Sequence, residues 1–171
     1  MSPTIRAPRA NELQLLRDIE WAAGVMFIEI GLPDVATTEP STVEELAEYV
    51  HQGRAWVIAD DADEPVGYAV VDVVDGLAHL EQLSVHPDHG RQGLGGTLVE
   101  HICDWAATQN FAAVTLTTFV DVAWNAPFYA KHGFRALAAD ELGPELRELC
   151  DLEASHGLDP ELRVCMRRET S

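Results

Sequence analysis

His86-Pro87-Asp88-His89-Gly90-Arg91-Gln92-Gly93-Leu94-Gly95-Gly96 is the stretch on which the fold turns. Before it, Leu77 to Val85 alternates as a strand does; after it, Leu98, Ile102 and Trp105 recur at helical spacing. The stretch is therefore read as a strand-to-helix turn, with Pro87 closing the strand. Glycines at 90, 93, 95 and 96 let the backbone approach a ligand and take positive φ where needed, so that successive N–H groups can converge on one phosphate. The helix that follows adds its unpaired N–H groups and the positive end of its dipole. Together these features predict an anion cradle. It is not a Walker A loop, because no Lys-Ser or Lys-Thr follows the glycines. Nor does it match GxGxxG, since Leu98 stands where the third glycine would fall.

Upstream, Ala55–Ala59 and Val66–Val74 are strand candidates joined by a polar turn, and Asp75-Gly76 makes a tight hairpin into the strand that ends at Val85. The centre of the chain is thus an antiparallel meander. Earlier still, Thr4-Ile5-Arg6 is a short strand. Asn11 is expected to cap a helix carrying Leu13, Leu16 and Ile19 on one face to about Ala23, with Gln14 at the capping-box position. Trp21, Met26 and Phe27 then fit neither template, and read either as core plugs or as a lip over a site. Residues 31 to 41 read as loop, and Ser41 to Glu45 holds overlapping capping boxes for a helix that Gly53 ends.

Downstream, Ala113–Thr117 is a β-branched strand reached through a helix, which makes it a parallel neighbour of the 77–85 strand. A short helix through Pro127-Phe128-Tyr129 stops at His132-Gly133, and Phe134 begins another strand. Residues 144 to 156 predict a helix with Leu146, Leu149 and Leu152 as apolar positions and Gly157 as its stop; Leu162–Met166 is the last strand.

Composition limits the function. At 171 residues and 47% hydrophobic, one domain with a full core is the expectation. No run of about 18 apolar residues could span a bilayer, and the first residues lack the apolar region of a signal peptide, so a soluble cytoplasmic protein acting without a membrane is expected. Cys103, Cys150 and Cys165 show no metal-ligand spacing and read as buried reduced thiols, with no metal. A net charge of −18 argues against nucleic acid as a partner, because backbone contacts need clustered Lys and Arg. The same charge is compatible with a cationic amine, although an acidic surface also serves solubility.

The cradle, the meander before it and a Tyr-x-x-x-Gly-Phe segment after it resemble the GNAT superfamily of N-acetyltransferases. The residues that carry the resemblance are Gly90-Arg91-Gln92-Gly93-Leu94-Gly95, preceded by Leu83-Ser84-Val85-His86-Pro87 and followed by Phe128-Tyr129-Ala130-Lys131-His132-Gly133-Phe134. The likeness covers roughly residues 4 to 136, with Gly90 where the pattern has Gln or Arg. It implies an α/β (α+β) fold: a mixed, mostly antiparallel sheet of six to seven strands with helices on both faces. That fold would occupy residues 1–171 as a single domain, with an extra helix near 144–156 before the last strand.

The resemblance also implies acetyl-CoA as cosubstrate. Its pyrophosphate would rest on the N–H groups of Arg91, Gln92, Gly93, Gly95 and Gly96, and its pantetheine arm along Leu83 and Val85, where splaying from the 113–117 strand frees backbone groups. In this family type an amine attacks the thioester directly, which needs a base for the ammonium and an acid for the departing thiolate. Tyr129 matches the acid position; the alternative is a half-buried tyrosine with a satisfied hydroxyl. His79 and Glu81 are the candidate bases, and strict alternation puts them on one face with Leu83 and Val85, although either could be a surface or relay residue. Asn125 is a CoA or substrate contact, or simply a helix N-cap, because the relatives' asparagine position falls on Val122. Phe119, Asp121 and Trp124 are placed on the loop after the 113–117 strand as a wall for the acceptor, and with Trp21, Phe27 and Glu29 they could accept an aromatic or aliphatic amine. The acceptor is a small-molecule amine or a protein amine. The 144–156 helix could shape its mouth or a homodimer contact. A catalytically silent acyl-CoA-binding or regulatory module, and a different phosphate-binding α/β protein, are the competing readings.

Overall fold

The computed structural model describes residues 3–25, 40–90, 92–120, 122, 125–155 and 160–170. Its strands form one seven-stranded sheet in the order β1-β2-β3-β4-β5-β7-β6, mostly antiparallel, as the resemblance implies. The chain divides into two compact units, Met1–Val71 with Gln82–Leu98 and Asp72–Glu81 with Val99–Ser171.

The first unit holds β1 (Thr4–Arg6), α1 (Leu13–Gly24), α2 (Val43–His51), β2 (Ala55–Ala59) and most of β3 (Pro65–Val74). Leu13, Leu16 and Ile19 fall three residues apart, share one face of α1, and are all buried. Asn11 is not the cap. A 3-10 turn, Ala10–Glu12, precedes α1, and Glu12 accepts the Arg9 N–H at 2.8 Å, because its carboxylate is already held by Arg6 at 2.8 Å. At α2 the expected capping box forms: Thr42 Oγ1 accepts from the Glu45 N–H at 3.1 Å and the Glu45 carboxylate from the Thr42 N–H at 3.3 Å. Leu46 then joins Leu16, Ile19, Val57, Val70 and Tyr68 in the core. Truncating Leu16 there costs about 2–5 kcal/mol. The fully buried Tyr68 donates its hydroxyl to Glu20, and burial holds that carboxyl above the ordinary carboxylate range. β1 and β3 flank β2 in antiparallel register, with a bulge between Ile58 and Ala59.

The second unit is organised on β4 (Leu77–Val85), β5 (Ala113–Phe119) and β7 (Arg163–Glu169). Asp75 and Gly76, with φ of 55° and 72°, form the hairpin into β4. β4 and β5 pair in parallel through Ala78↔Val114 and His79↔Thr115, in the first half of β4. β5 and β7 pair antiparallel along their full length, which explains two differences from the sequence reading. β5 runs on to Phe119 because Arg163 pairs with it, and β7 continues past Met166 although its residues are charged. Arg168 stays in the sheet because its guanidinium grips Glu100 on α3 (Leu94–Thr108) at 2.9 and 3.0 Å. α4 (Ala126–Lys131) ends at Gly133, φ +86°, and the next strand, β6, is only Arg135–Ala136.

α5 (Pro144–Ser155) is the predicted extra helix, with one change: Leu146 is buried, whereas Leu152 is exposed. Its first turn is held by a residue about seventy positions earlier. The Asp75 carboxylate accepts from the N–H groups of Glu145 and Leu146 at 2.9 and 3.0 Å, and Glu145 accepts the Asp75 N–H at 2.7 Å. A Cβ on Gly143 would stand 2.3 Å from that carboxylate, so only glycine fits. Beside this junction lies a cavity of about 280 Å³ lined by Val74, Asp75, Leu77, Thr115, Leu137, Glu141, Gly143, Leu146 and Arg167. Among the described residues, no helix is long and apolar enough to cross a membrane.

Candidate active site

In the first unit, β4 ends at Val85, and the His86 N–H binds the Val66 carbonyl at 2.8 Å. His86 Nδ1 accepts the Asp88 N–H at 3.1 Å, which shapes the 3-10 turn Pro87–His89. Of the glycines expected to need left-handed backbone, Gly93 does, at φ +77°, with open space where its Cβ would be. Gly90 is extended, and Gly95 and Gly96 are ordinary first-turn helix residues. The Thr97 N–H is bonded to the Gly93 carbonyl at 3.0 Å, so the helical ladder starts there. The N–H groups of Leu94, Gly95 and Gly96 precede that bond and are the donors a helix leaves for a ligand. Leu83 and Val85 are half-buried on the end of β4, and Arg91 lies outside the described residues.

In the second unit, His79 Nε2 and the Glu81 carboxylate stand 3.8 Å apart, on one face as strand alternation requires. Their surroundings differ. His79 is 1% exposed and its Nδ1 meets Thr115 Oγ1 at 2.9 Å; burial pushes its pKa down to about 4, so the ring is neutral at physiological pH. The Glu81 side chain is 38% exposed.

Tyr129 is buried on α4 between Phe128 and Phe134, whose ring centroids lie 5.0 and 5.7 Å from its own. The sequence explains this local wrap: Gly133 takes the left-handed turn, and the Phe134 N–H returns to the Tyr129 carbonyl at 3.1 Å. Burial pushes the Tyr129 phenol well up, which keeps its proton in place. Asn125 sits at the N-cap of α4 but does not cap it with its side chain. Its Oδ1 instead accepts from the Thr118 hydroxyl, while its Nδ2 is buried without a partner among the described residues. A buried, unspent amide donor is what a ligand carbonyl would satisfy.

One expectation is corrected. Phe119 is not on a loop; it is the last residue of β5, buried, with the Arg163 guanidinium 4.6 Å over its ring. It belongs to the packing of the sheet because β7 extends far enough to cover it. Trp21 is exposed on α1, and Phe27, Glu29, Asp121 and Trp124 lie outside the described residues. Sequence reasoning missed Thr115 and Thr118, which hold His79 and Asn125; alternating threonines in a strand carry no mark of which will find a side-chain partner. Among the described residues, no group of His, Cys, Asp and Glu could hold a metal ion.

The first unit thus holds a strand that ends in a glycine-opened helix N-terminus, and the second holds a buried tyrosine on a later helix. Residues 15–134 match the acetyltransferase (GNAT) family, and the chain belongs to that family. Membership makes it an acyltransferase whose general reaction is acetyl transfer from acetyl-CoA. The chain is 29% identical over 98 residues to the uncharacterised N-acetyltransferase YjcF of Bacillus subtilis (strain 168), covering 57% of this chain and 67% of that protein. It is 32% identical over 103 residues to the peptidyl-lysine N-acetyltransferase YjaB of Salmonella typhimurium, covering 58% and 63%. The match thus spans about two thirds of the length of these relatives. The fold is similar, at TM-score 0.74 and 18% identity, to N-acetylglutamate synthase from Neisseria gonorrhoeae complexed with coenzyme A and N-acetyl-glutamate; that likeness covers 100% of this chain and 36% of the synthase.

Proposed function

We propose that this chain transfers the acetyl group of acetyl-CoA to a primary amine by direct attack of the amine on the thioester. The observation that carries the reading is Tyr129, a buried phenol at the family's acid position whose proton is held firmly. Such a group is protonated at neutral pH, so it has a proton to offer a departing thiolate and is not available as a base. The pyrophosphate is assigned to the N–H groups of Gln92, Gly93, Gly95 and Gly96 with Arg91, and the pantetheine arm to the backbone at Leu83 and Val85. Asn125 Nδ2 supplies a further donor for a carbonyl of the cosubstrate or acceptor.

Glu81 is the preferred base. His79 is buried with its Nδ1 on Thr115, whereas Glu81 is open enough to meet an acceptor or a bridging water. His79, fixed by Thr115, then orients Glu81. The acceptor is assigned as a cationic small molecule or a protein lysine; the net charge of −18 favours cations, and one relative is a peptidyl-lysine enzyme.

Thiol release from acetyl-CoA across a panel of primary amines and lysine peptides tests this. Amine-dependent release that Tyr129→Phe abolishes is the expected result. Tight acetyl-CoA binding with no release for any amine would mark a silent binding module instead.

A further inference from the structure

Cys150 on α5 and Cys165 on β7 bring their sulfurs to 3.0 Å, yet both are free thiols. The contact is not accidental in sequence. Cys150 follows Leu146 by one helical turn and precedes Glu153 by three residues, so all three lie on one stripe of α5. Leu146 is buried, and Glu153 accepts from the Thr117 hydroxyl at 2.9 Å and from Arg163 at 3.1 Å. That stripe faces β5 and β7, and Cys165 is the β7 residue paired with Thr117. Cys165 is buried, whereas Cys150 is only half-buried and therefore the one a small oxidant meets first.

We propose that Cys150 and Cys165 form a reversible oxidation site, a disulfide made by a hydroperoxide and undone by a dithiol. The Cys150 sulfur takes one oxygen of hydrogen peroxide as the O–O bond breaks, giving a sulfenic acid and one water. The Cys165 thiol gives up its proton and attacks the Cys150 sulfur; the S–S bond forms, the S–O bond breaks, and the oxygen leaves as a second water. Two thiols are oxidised and one peroxide is reduced. Cys103, buried on α3, has no sulfur partner among the described residues and stays a thiol. The disulfide closes the 151–164 segment into a loop and fixes α5 to β7. This site does not depend on the acetyl-transfer chemistry above.

The test uses the full chain, titrated with hydrogen peroxide, alkylated under denaturing conditions and peptide-mapped without reductant. Expected are joined Cys150 and Cys165 peptides, lighter by two hydrogens, with Cys103 alkylated. The thermal midpoint should rise by roughly 5–10 °C and return with dithiothreitol. Cys150→Ser should lose both the link and the shift, and if that variant does not fold the wild-type map decides alone. Alkylation of both cysteines after peroxide, a sulfinic acid on Cys150 beside a free Cys165, or a link between two chains would each overturn the proposal.

Discussion

The turn from β4 into α3 and the segment around Tyr129 and His79 differ in the physical features on which their proposed roles rest. In the turn, the assigned contacts are backbone N–H groups, and the requirements are one left-handed residue, Gly93, and an open first helical turn. Around Tyr129 and His79 the side chains matter, and their behaviour is set by burial: a phenol that keeps its proton and an imidazole that refuses one. A site made of backbone N–H groups would tolerate substitution of side chains, such as Gly90 for the family's Gln or Arg, whereas the acid proposed at Tyr129 would not.

The largest expected effect breaks the side-chain half alone. Tyr129→Phe should lower kcat by roughly 10²–10⁴-fold while leaving the KM for acetyl-CoA within about twofold; steady-state kinetics with the best amine checks it. Equal kcat in variant and parent would remove the distinction between the two regions.

The next concerns His79. Folded, it titrates near 4, against 6.5 for a free histidine, so between those values the unfolded chain binds a proton that the fold does not. Its contribution is therefore fully present above pH 6.5 and is lost as pH falls toward 4, by about 3 kcal/mol for a fully buried ring. Denaturant unfolding at pH 7.5 and 4.5 should show a steeper loss in the parent than in His79→Asn.

Gly93→Ala tests the backbone half. Open space surrounds the new methyl, so the cost is the left-handed φ alone, about 1–2 kcal/mol. If the turn answers by leaving that conformation, the KM for acetyl-CoA should rise roughly tenfold with kcat little changed, the reverse of Tyr129→Phe. At the small end, Leu152→Ser on the exposed side of α5 should change stability by less than about 0.5 kcal/mol in thermal unfolding.

Much of this was legible in the chain. The hairpin at Asp75-Gly76, the ends of β2 and β4, and the strand-to-helix turn all follow from glycines, prolines and alternation, which act over a few residues. The capping box at Thr42 was equally local. Asn11 is not the cap because Arg6 recruits Glu12, and Leu152 is exposed although it shares the helical spacing of Leu146 and Leu149, because such spacing does not say how far the sheet beneath it extends. Phe119 was misplaced for the same reason: its strand is lengthened by a partner some forty residues later.

The sequence by itself determined most elements, the strand-to-helix turn with its glycines, and the order of motifs that places the chain among the acetyltransferases. Only the tertiary structure decided that Tyr129 holds its proton, that His79 is neutral on Thr115, that Asp75 anchors α5, and that Cys150 meets Cys165. The reason is one of range. Backbone conformation is fixed by neighbours in the chain, whereas desolvation and side-chain pairing depend on residues that folding brings together from far apart.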